Sequence, residues 1–301
     1  MCRTCGCSEE SEATLTDLQT GVELPVQMDG EHHDHTHDHA HPHIHHEHAH
    51  HSHSNSHDHN HDHAHTHADG STISGRQQHA KIIRLEQDVL AKNALLAERN
   101  RGWLAGRDIV ALNLMSSPGA GKTTLLERTI RDQANELPIS VIEGDQATTY
   151  DADRIRSAGC KVIQINTGMG CHLEADMTAR AFEQLDPPLH SMVIIENVGN
   201  LVCPALFDLG ERAKVVLMSV TEGADKPAKY PHAFRASEVM ILNKIDLLPY
   251  VEFDIQKCLD LAREVNPRLR VFKISATRGD GMDQWYAWLH EQRSSSAVFV
   301  N

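Results

Sequence analysis

From about position 77 onward, short apolar runs alternate with amphipathic stretches, and that alternation predicts the elements. Runs of four to seven mainly Val, Ile, Leu and Met, bounded by Gly, Asn, Asp or Pro, fall at 109–115, 139–143, 161–166, 191–195, 214–220, 239–242 and 270–275. Near-continuous apolar runs of that length are expected of strands buried on both faces. Between them lie helix-compatible segments: one from Gly121 onward, one beginning near Asp151, and others at 173–184, 254–265 and 282–290. A leading helix is expected at 77–101, where Ile82, Leu85, Val89 and Leu96 recur at spacings of three, four and seven, with Gly102 as its stop. Strand and helix in strict alternation predict an α/β fold with a mostly parallel sheet and flanking helices. Residues 8–30 are polar with no sustained period and are expected to form a linker.

The first strand runs into Ser-Ser-Pro-Gly-Ala-Gly-Lys-Thr-Thr at 116–124. Strand, tight glycine turn and helix in that order make a phosphate-binding loop, although Ser116 stands where the usual pattern has glycine. Backbone N–H groups of Gly119, Ala120, Gly121 and Lys122 are expected to cradle an anion, and the following helix adds its positive dipole end. Lys122 would reach the β/γ-phosphates, the Thr123 hydroxyl would hold Mg²⁺, and Thr124 belongs to the same loop. The fold class is therefore that of the P-loop NTPases.

Later strands end in residues suited to the same chemistry. Asp145 follows the second strand, where open α/β sheets bind ligands, and reads as a Mg²⁺ carboxylate or as a helix N-cap. Glu196 ends the 191–195 run and is placed for Mg²⁺ or its water, while Gly199 offers an N–H to a γ-phosphate. Asn243-Lys244-Ile245-Asp246 ends another strand about 120 residues after the phosphate loop. Asp246 can accept N1–H and the exocyclic amine of guanine; adenine would leave it unpaired. Lys244 can lie along the base, and Asn243 can tie this loop to the phosphate loop. Ser275 and Ala276 are similar to the loop that backs the guanine carbonyl in GTPases. No residue presents itself as a catalytic base, so GTP hydrolysis to GDP and phosphate is expected to be slow.

Composition divides the rest of the chain. Of the 24 histidines, nineteen fall between Glu31 and His67, as in His32-His33-Asp34-His35-Thr36-His37-Asp38-His39. Such a tract cannot repay the entropy of folding, so 31–69 is expected to be disordered and to collect Ni²⁺, Cu²⁺ or Zn²⁺ through neutral imidazole. Cys2, Cys5 and Cys7 form a Cys-x-x-Cys-x-Cys cluster within residues 1–10 that suits square-planar Ni²⁺ as well as tetrahedral Zn²⁺. A second constellation pairs Cys171-His172, on a glycine-rich loop, with Cys203, on the loop after Glu196. Three ligands leave an open position or one for a second subunit. A formal charge of −14 argues against nucleic acid, and no apolar run is long enough to span a membrane or serve as a leader. Seven cysteines are then expected as thiols or metal ligands in a cytoplasmic protein. The expected organisation is a Cys motif at 1–10, a linker at 11–30, the His tract at 31–69 and a nucleotide-binding domain at 76–293.

Jointly, the segments 116–124, 144–148, 170–172, 196–204, 221–231 and 243–246, with Met-Cys-Arg-Thr-Cys-Gly-Cys at the start, resemble the hydrogenase nickel-insertion GTPases (the HypB family). The resemblance spans 76–292. It implies GTP hydrolysis coupled to nickel delivery into the large subunit of [NiFe]-hydrogenase, a homodimer on GTP binding, and a zinc- and nickel-binding partner chaperone of the HypA family. It also implies a tight nickel site at Cys2, Cys5 and Cys7, and a nickel or zinc site at Cys171, His172 and Cys203 on the dimer interface. Two alternatives stand beside it. One is the urease accessory GTPases, which carry Cys-Pro-His where this chain has Cys171-His172. The other is a nickel-storage protein with a regulatory GTPase.

Overall fold

A computed structural model describes residues 13–25, 65–66, 72–73, 75–145, 150–168 and 170–296. Cys2, Cys5, Cys7, His32, His33, His35, His37 and His39 lie outside the described residues. Two compact units are distinguished. The smaller, 28–87, contains strands β3 (His65–Thr66) and β4 (Thr72–Ile73), paired antiparallel, and the first turns of helix α1 (Gly75–Gly106).

The larger unit is built on a nine-stranded sheet. Its strands are β1 (Thr14–Asp17), β2 (Val22–Pro25), β5 (Val110–Ser116), β6 (Ile139–Asp145), β7 (Lys161–Asn166), β8 (Met192–Glu196), β9 (Ala213–Ser219), β10 (Val239–Asn243) and β11 (Arg270–Lys273). The order is β11-β10-β9-β5-β8-β6-β7-β1-β2, with every pair from β11 to β7 parallel. Every residue of β5, β8 and β10 is buried, as the unbroken apolar runs require. The helices that follow are α2 (Lys122–Gln133), α3 (Tyr150–Ser157), α4 (Ala175–Leu185), α5 (Cys203–Leu206), α6 (Lys226–Lys229), α7 (Pro231–Ala236), α8 (Ile255–Val265) and α9 (Met282–Ser296). Trp285 and Trp288 of α9 stack at 5.4 Å and are fully buried, with Trp285 Nε1 donating to Thr129 Oγ1 of α2 at 2.9 Å.

Two expectations are corrected. Residues 14–25 are not linker: β1 pairs antiparallel with β7, Thr14 opposite Asn166, and β2 extends the edge. Only Leu15 of β1 is buried and all of β2 is exposed, so the hairpin has no apolar face long enough to register as a period. Helix α1 passes Gly102 and ends at Gly106. Trp103 explains the extension, stacking on Phe182 of α4 at 5.8 Å, with Leu104 buried behind it. The inward face of α1 is Asn93, Ala97, Asn100 and Leu104, while Val89 is exposed. Asn93 accepts from Ala175 N and donates to Asp208 O, and Asn100 donates to Ala175 O and Leu209 O. Half of that helix face is thus polar and hydrogen-bonded, which an apolar-spacing rule does not detect.

Candidate functional site

The chain leaves β5, passes Ser116, and turns through Gly119 and Gly121, both with positive φ (75° and 98°), into α2. Any side chain at Gly121 would be strained, and its Cβ would stand 2.7 Å from Asn243 Nδ2. That closeness has a purpose. Asn243 Nδ2 donates to Ala120 O at 3.0 Å and Asn243 Oδ1 accepts from Ala276 N at 3.1 Å. Lys244, at φ 61°, donates to Gly119 O at 2.7 Å. Ser275 Oγ donates to Asp246 Oδ1 at 2.6 Å, orienting the carboxylate. The tie between the two loops is therefore made through side chains of the Asn-Lys-x-Asp segment.

In front of this loop lies a cavity of about 600 Å³. Gly119, Ala120, Gly121, Lys122, Thr123, Thr124, Asp145, Cys171, Glu196, Gly199 and Lys244 all line it. Asn243, Asp246, Ser275, Ala276, His172 and Cys203 stand outside its wall. Lys122 Nζ donates to Ser116 Oγ at 2.9 Å, and Thr123 Oγ1 donates to Glu196 Oε1 at 3.1 Å. Asp145 is the last residue of β6, five positions before α3 begins, so it does not cap that helix. Glu196 is buried, and its Oε2 has no hydrogen-bond partner among the described residues. A buried carboxylate oxygen beside a threonine hydroxyl and a lysine fits a phosphate-bound divalent cation or its water.

Three charged residues of the cavity wall were not foreseen: Glu143, Asp151 and Arg154. Arg154 donates to Glu127 Oε2 at 2.6 Å and to Asp151 Oδ1 at 3.2 Å. Glu143, within β6, is buried, and its Oε2 has no hydrogen-bond partner among the described residues. Its signal was an acid inside the apolar run Ile-Ser-Val-Ile-Glu. Burial, reinforced by Glu196, Asp145 and Asp151, pushes its carboxyl up to about 9; burial raises Glu196 to about 7 against the pull of Lys122 and Thr123. Glu143 thus keeps its proton in the fold to about pH 9 but loses it near 4.5 when unfolded. Its stabilising share is complete below 4.5 and is lost as pH rises toward about 9. Glu143→Gln is expected to match the parent in thermal melts of nucleotide-free protein near pH 4.5, and to exceed it increasingly toward pH 8.5. A constant difference would contradict this assignment.

Cys171, His172 and Cys203 come together. Their ligand atoms all lie within 4.8 Å of one another, and Cys203, at the first position of α5, is buried. Cys171 Sγ is 3.6 Å from His172 Nδ1. Among the described residues His172 Nε2 has no hydrogen-bond partner, lying 3.6 Å from Glu174 Oε1, and its ring packs on Phe207 at 3.9 Å. Glu174 and Phe207 were likewise unforeseen. Asn200 Nδ2 donates to Cys171 O at 3.4 Å, joining the loop after Glu196 to the cysteine loop. Two sulfurs and one imidazole suit a soft or borderline divalent ion with a coordination position to spare.

A parallel sheet, a glycine loop at its switch point and a lysine-threonine pair at a helix start define a P-loop nucleotide-binding protein. The CobW/HypB/UreG nucleotide-binding domain matches residues 110–273. The chain is 55% identical over 224 residues to the hydrogenase maturation factor HypB of Escherichia coli K12, spanning 74% of this chain and 77% of that one. Among solved structures it is similar to the hydrogenase maturation factor HypB of Archaeoglobus fulgidus (TM-score 0.63, 39% identity, 67% of this chain and 99% of that). It is also similar to HypB of Helicobacter pylori in complex with nickel (TM-score 0.64, 36% identity, 68% and 96%). This chain belongs to the HypB family of hydrogenase maturation factors. Among the described residues, no helix is long and apolar enough to cross a membrane.

Proposed function

We propose that this protein is a cytoplasmic metal-binding GTPase that couples GTP binding and slow hydrolysis to nickel delivery into [NiFe]-hydrogenase. The observation that carries this reading is the position of Cys171. It lines the nucleotide cavity while its sulfur stands with His172 and Cys203 within 4.8 Å. The solved nickel complex of the Helicobacter pylori relative supports nickel as the cargo.

Asp246, held by Ser275, reads guanine; Lys244 lies along the base; Asn243 and Ala276 fix the loop that presents it. Gly119 to Thr124 take the phosphates, with Lys122 on the terminal ones. Thr123, Asp145 and Glu196 would hold Mg²⁺, which supplies charge neutralisation at the phosphates. Glu196 begins the run to Gly199, and Gly199 packs against Pro118 of the phosphate loop. A change at the terminal phosphate therefore reaches Asn200, and through it the backbone of Cys171. Nickel affinity and nucleotide state are linked reciprocally through that connection. The trio offers three ligands, so a fourth comes from solvent or from a second copy in a GTP-bound homodimer; Zn²⁺ suits the same donors.

Cys2, Cys5 and Cys7 supply a second thiolate site, and the His tract, including His32, His33, His35, His37 and His39, buffers nickel. A HypA-type chaperone and the hydrogenase large subunit are the partners. The rival reading puts storage first. Deleting 31–67 separates them: delivery predicts hydrogenase maturation intact under ample nickel and impaired under scarcity, whereas loss under ample nickel puts storage at the centre.

A further inference from the structure

On one face of β5, Asn113 sits between Ala111 and Met115, where the apolar cluster around Phe182 meets the one around Phe234. Neither Asn113 nor Asn197 has any exposed surface, and Glu211 is nearly as buried. All are hydrogen-bonded in series. Asn197 Nδ2 donates to Asn113 Oδ1 at 3.2 Å, and Asn113 Nδ2 donates to Glu211 Oε1 at 3.3 Å. At one end, Asn197 Oδ1 accepts from Leu173 N at 3.3 Å and from Val198 N at 3.0 Å. At the other, Glu211 Oε1 lies 3.3 Å from Lys214 Nζ, which donates to the carbonyls of Pro204 and Phe207.

The chain of bonds thus begins beside His172 and ends beside Cys203. Along the way it passes Asn197, the neighbour of Glu196. Buried polar groups in series leave their partners orphaned when one is removed, so each link constrains the next. Plain apolar packing would close the same seam without fixing the two loops against each other.

We propose that Asn113, Asn197, Glu211 and Lys214 form the positioning scaffold of the Cys171–His172–Cys203 site. They hold the cysteine-histidine loop at a set distance from Cys203 and register both to the end of β8. The proposal rests on the reading of that trio as a nickel site.

The test uses full-length protein carrying Cys2→Ala, Cys5→Ala and Cys7→Ala, titrated with nickel; sulfur-to-nickel charge-transfer absorption reports the remaining thiolate site. Competition with a chelator gives the affinity. In that background Asn113→Leu and, separately, Lys214→Met are expected to weaken nickel binding by about 10-fold, the lower end of the loss seen when a direct partner of a metal ligand is removed, because both act through the loops that carry the ligands. Guanine-nucleotide affinity of Lys214→Met is expected to stay unchanged, since Lys214 lies outside the nucleotide cavity; Asn113 bonds Asn197, which lines it, so nickel affinity is the readout for Asn113→Leu. A role confined to folding would lower the melting temperature and leave nickel affinity, measured well below it, where it was; that result in either folded variant overturns the scaffold. A background protein with no charge-transfer band, or a band that survives Cys171→Ala and Cys203→Ala made together, overturns the nickel reading and the scaffold with it. A band lost only when both thiols are replaced, with nickel affinity unaltered in both scaffold variants, overturns the scaffold alone.

Discussion

Asp246→Asn is expected to lower GTP affinity by about 10⁴-fold, the scale on which a site built to pair a polar group rejects a ligand that leaves it unpaired. Ser275 Oγ donates to one carboxylate oxygen of Asp246 and so sets the orientation of the group that meets the base. Asparagine of the same shape offers an NH₂ donor in place of one of those acceptors, and guanine presents only donors at N1 and the exocyclic amine. Xanthosine triphosphate carries a carbonyl where guanine has the amine, so the variant is expected to prefer it. Equilibrium binding of both nucleotides to parent and variant checks this. Near-native GTP affinity in Asp246→Asn would contradict the assignment. Nickel binding by the nucleotide-free variant is expected to be unaffected, because Asp246 lies outside the sulfur-imidazole cluster.

Cys203→Ala is expected to cost about 100-fold or more in nickel affinity at the nucleotide-binding domain, exceeding the loss typical of an outer-shell change. Only the trio supplies closely grouped His, Cys, Asp or Glu ligands among the described residues, and Cys203 is one of its two sulfurs. The other described thiols provide internal controls. Burial pushes Cys160 up to about 12 and Cys258 up to about 11, and Cys258 Sγ lies against Met218 Sδ at 3.8 Å. Thiols so reluctant to ionise are poor metal ligands. Cys160→Ala and Cys258→Ala are therefore expected to bind nickel as the parent does. If Cys258→Ala weakened binding as much as Cys203→Ala, the site would not be the one assigned.

The nucleotide side of this account was legible because its chemistry is local. Residues 116–124 and 243–246 each lie within one strand-loop unit, and the structure joins them through Asn243, as its type suggested, and also through Lys244, for which only a place along the base was expected. The grouping of Cys171 and His172 with Cys203 also emerged from strand-end placement alone. What escaped was non-local or polar. The β1–β2 hairpin draws its pairing from β7, some 150 residues away, and its own four-residue strands carry no period. Helix α1 docks through Asn93 and Asn100 on its buried face, where apolar spacing points elsewhere. Glu143 reads as strand filler until burial and three neighbouring carboxylates reveal its cost. The scaffold of Asn113, Asn197, Glu211 and Lys214 draws on two strands and two loops, and no spacing rule connects them.

Linkage between the terminal phosphate and the metal cluster is the central claim, since the cluster shares Cys171 with the nucleotide cavity. Nickel affinity measured by chelator competition on Cys2→Ala, Cys5→Ala, Cys7→Ala full-length protein, once with GDP and once with a non-hydrolysable GTP analogue, tests it directly. The account predicts affinities that differ several-fold, the range of ordinary coupling energies, with the difference abolished by Cys203→Ala. Equal affinities in the two nucleotide states would contradict it.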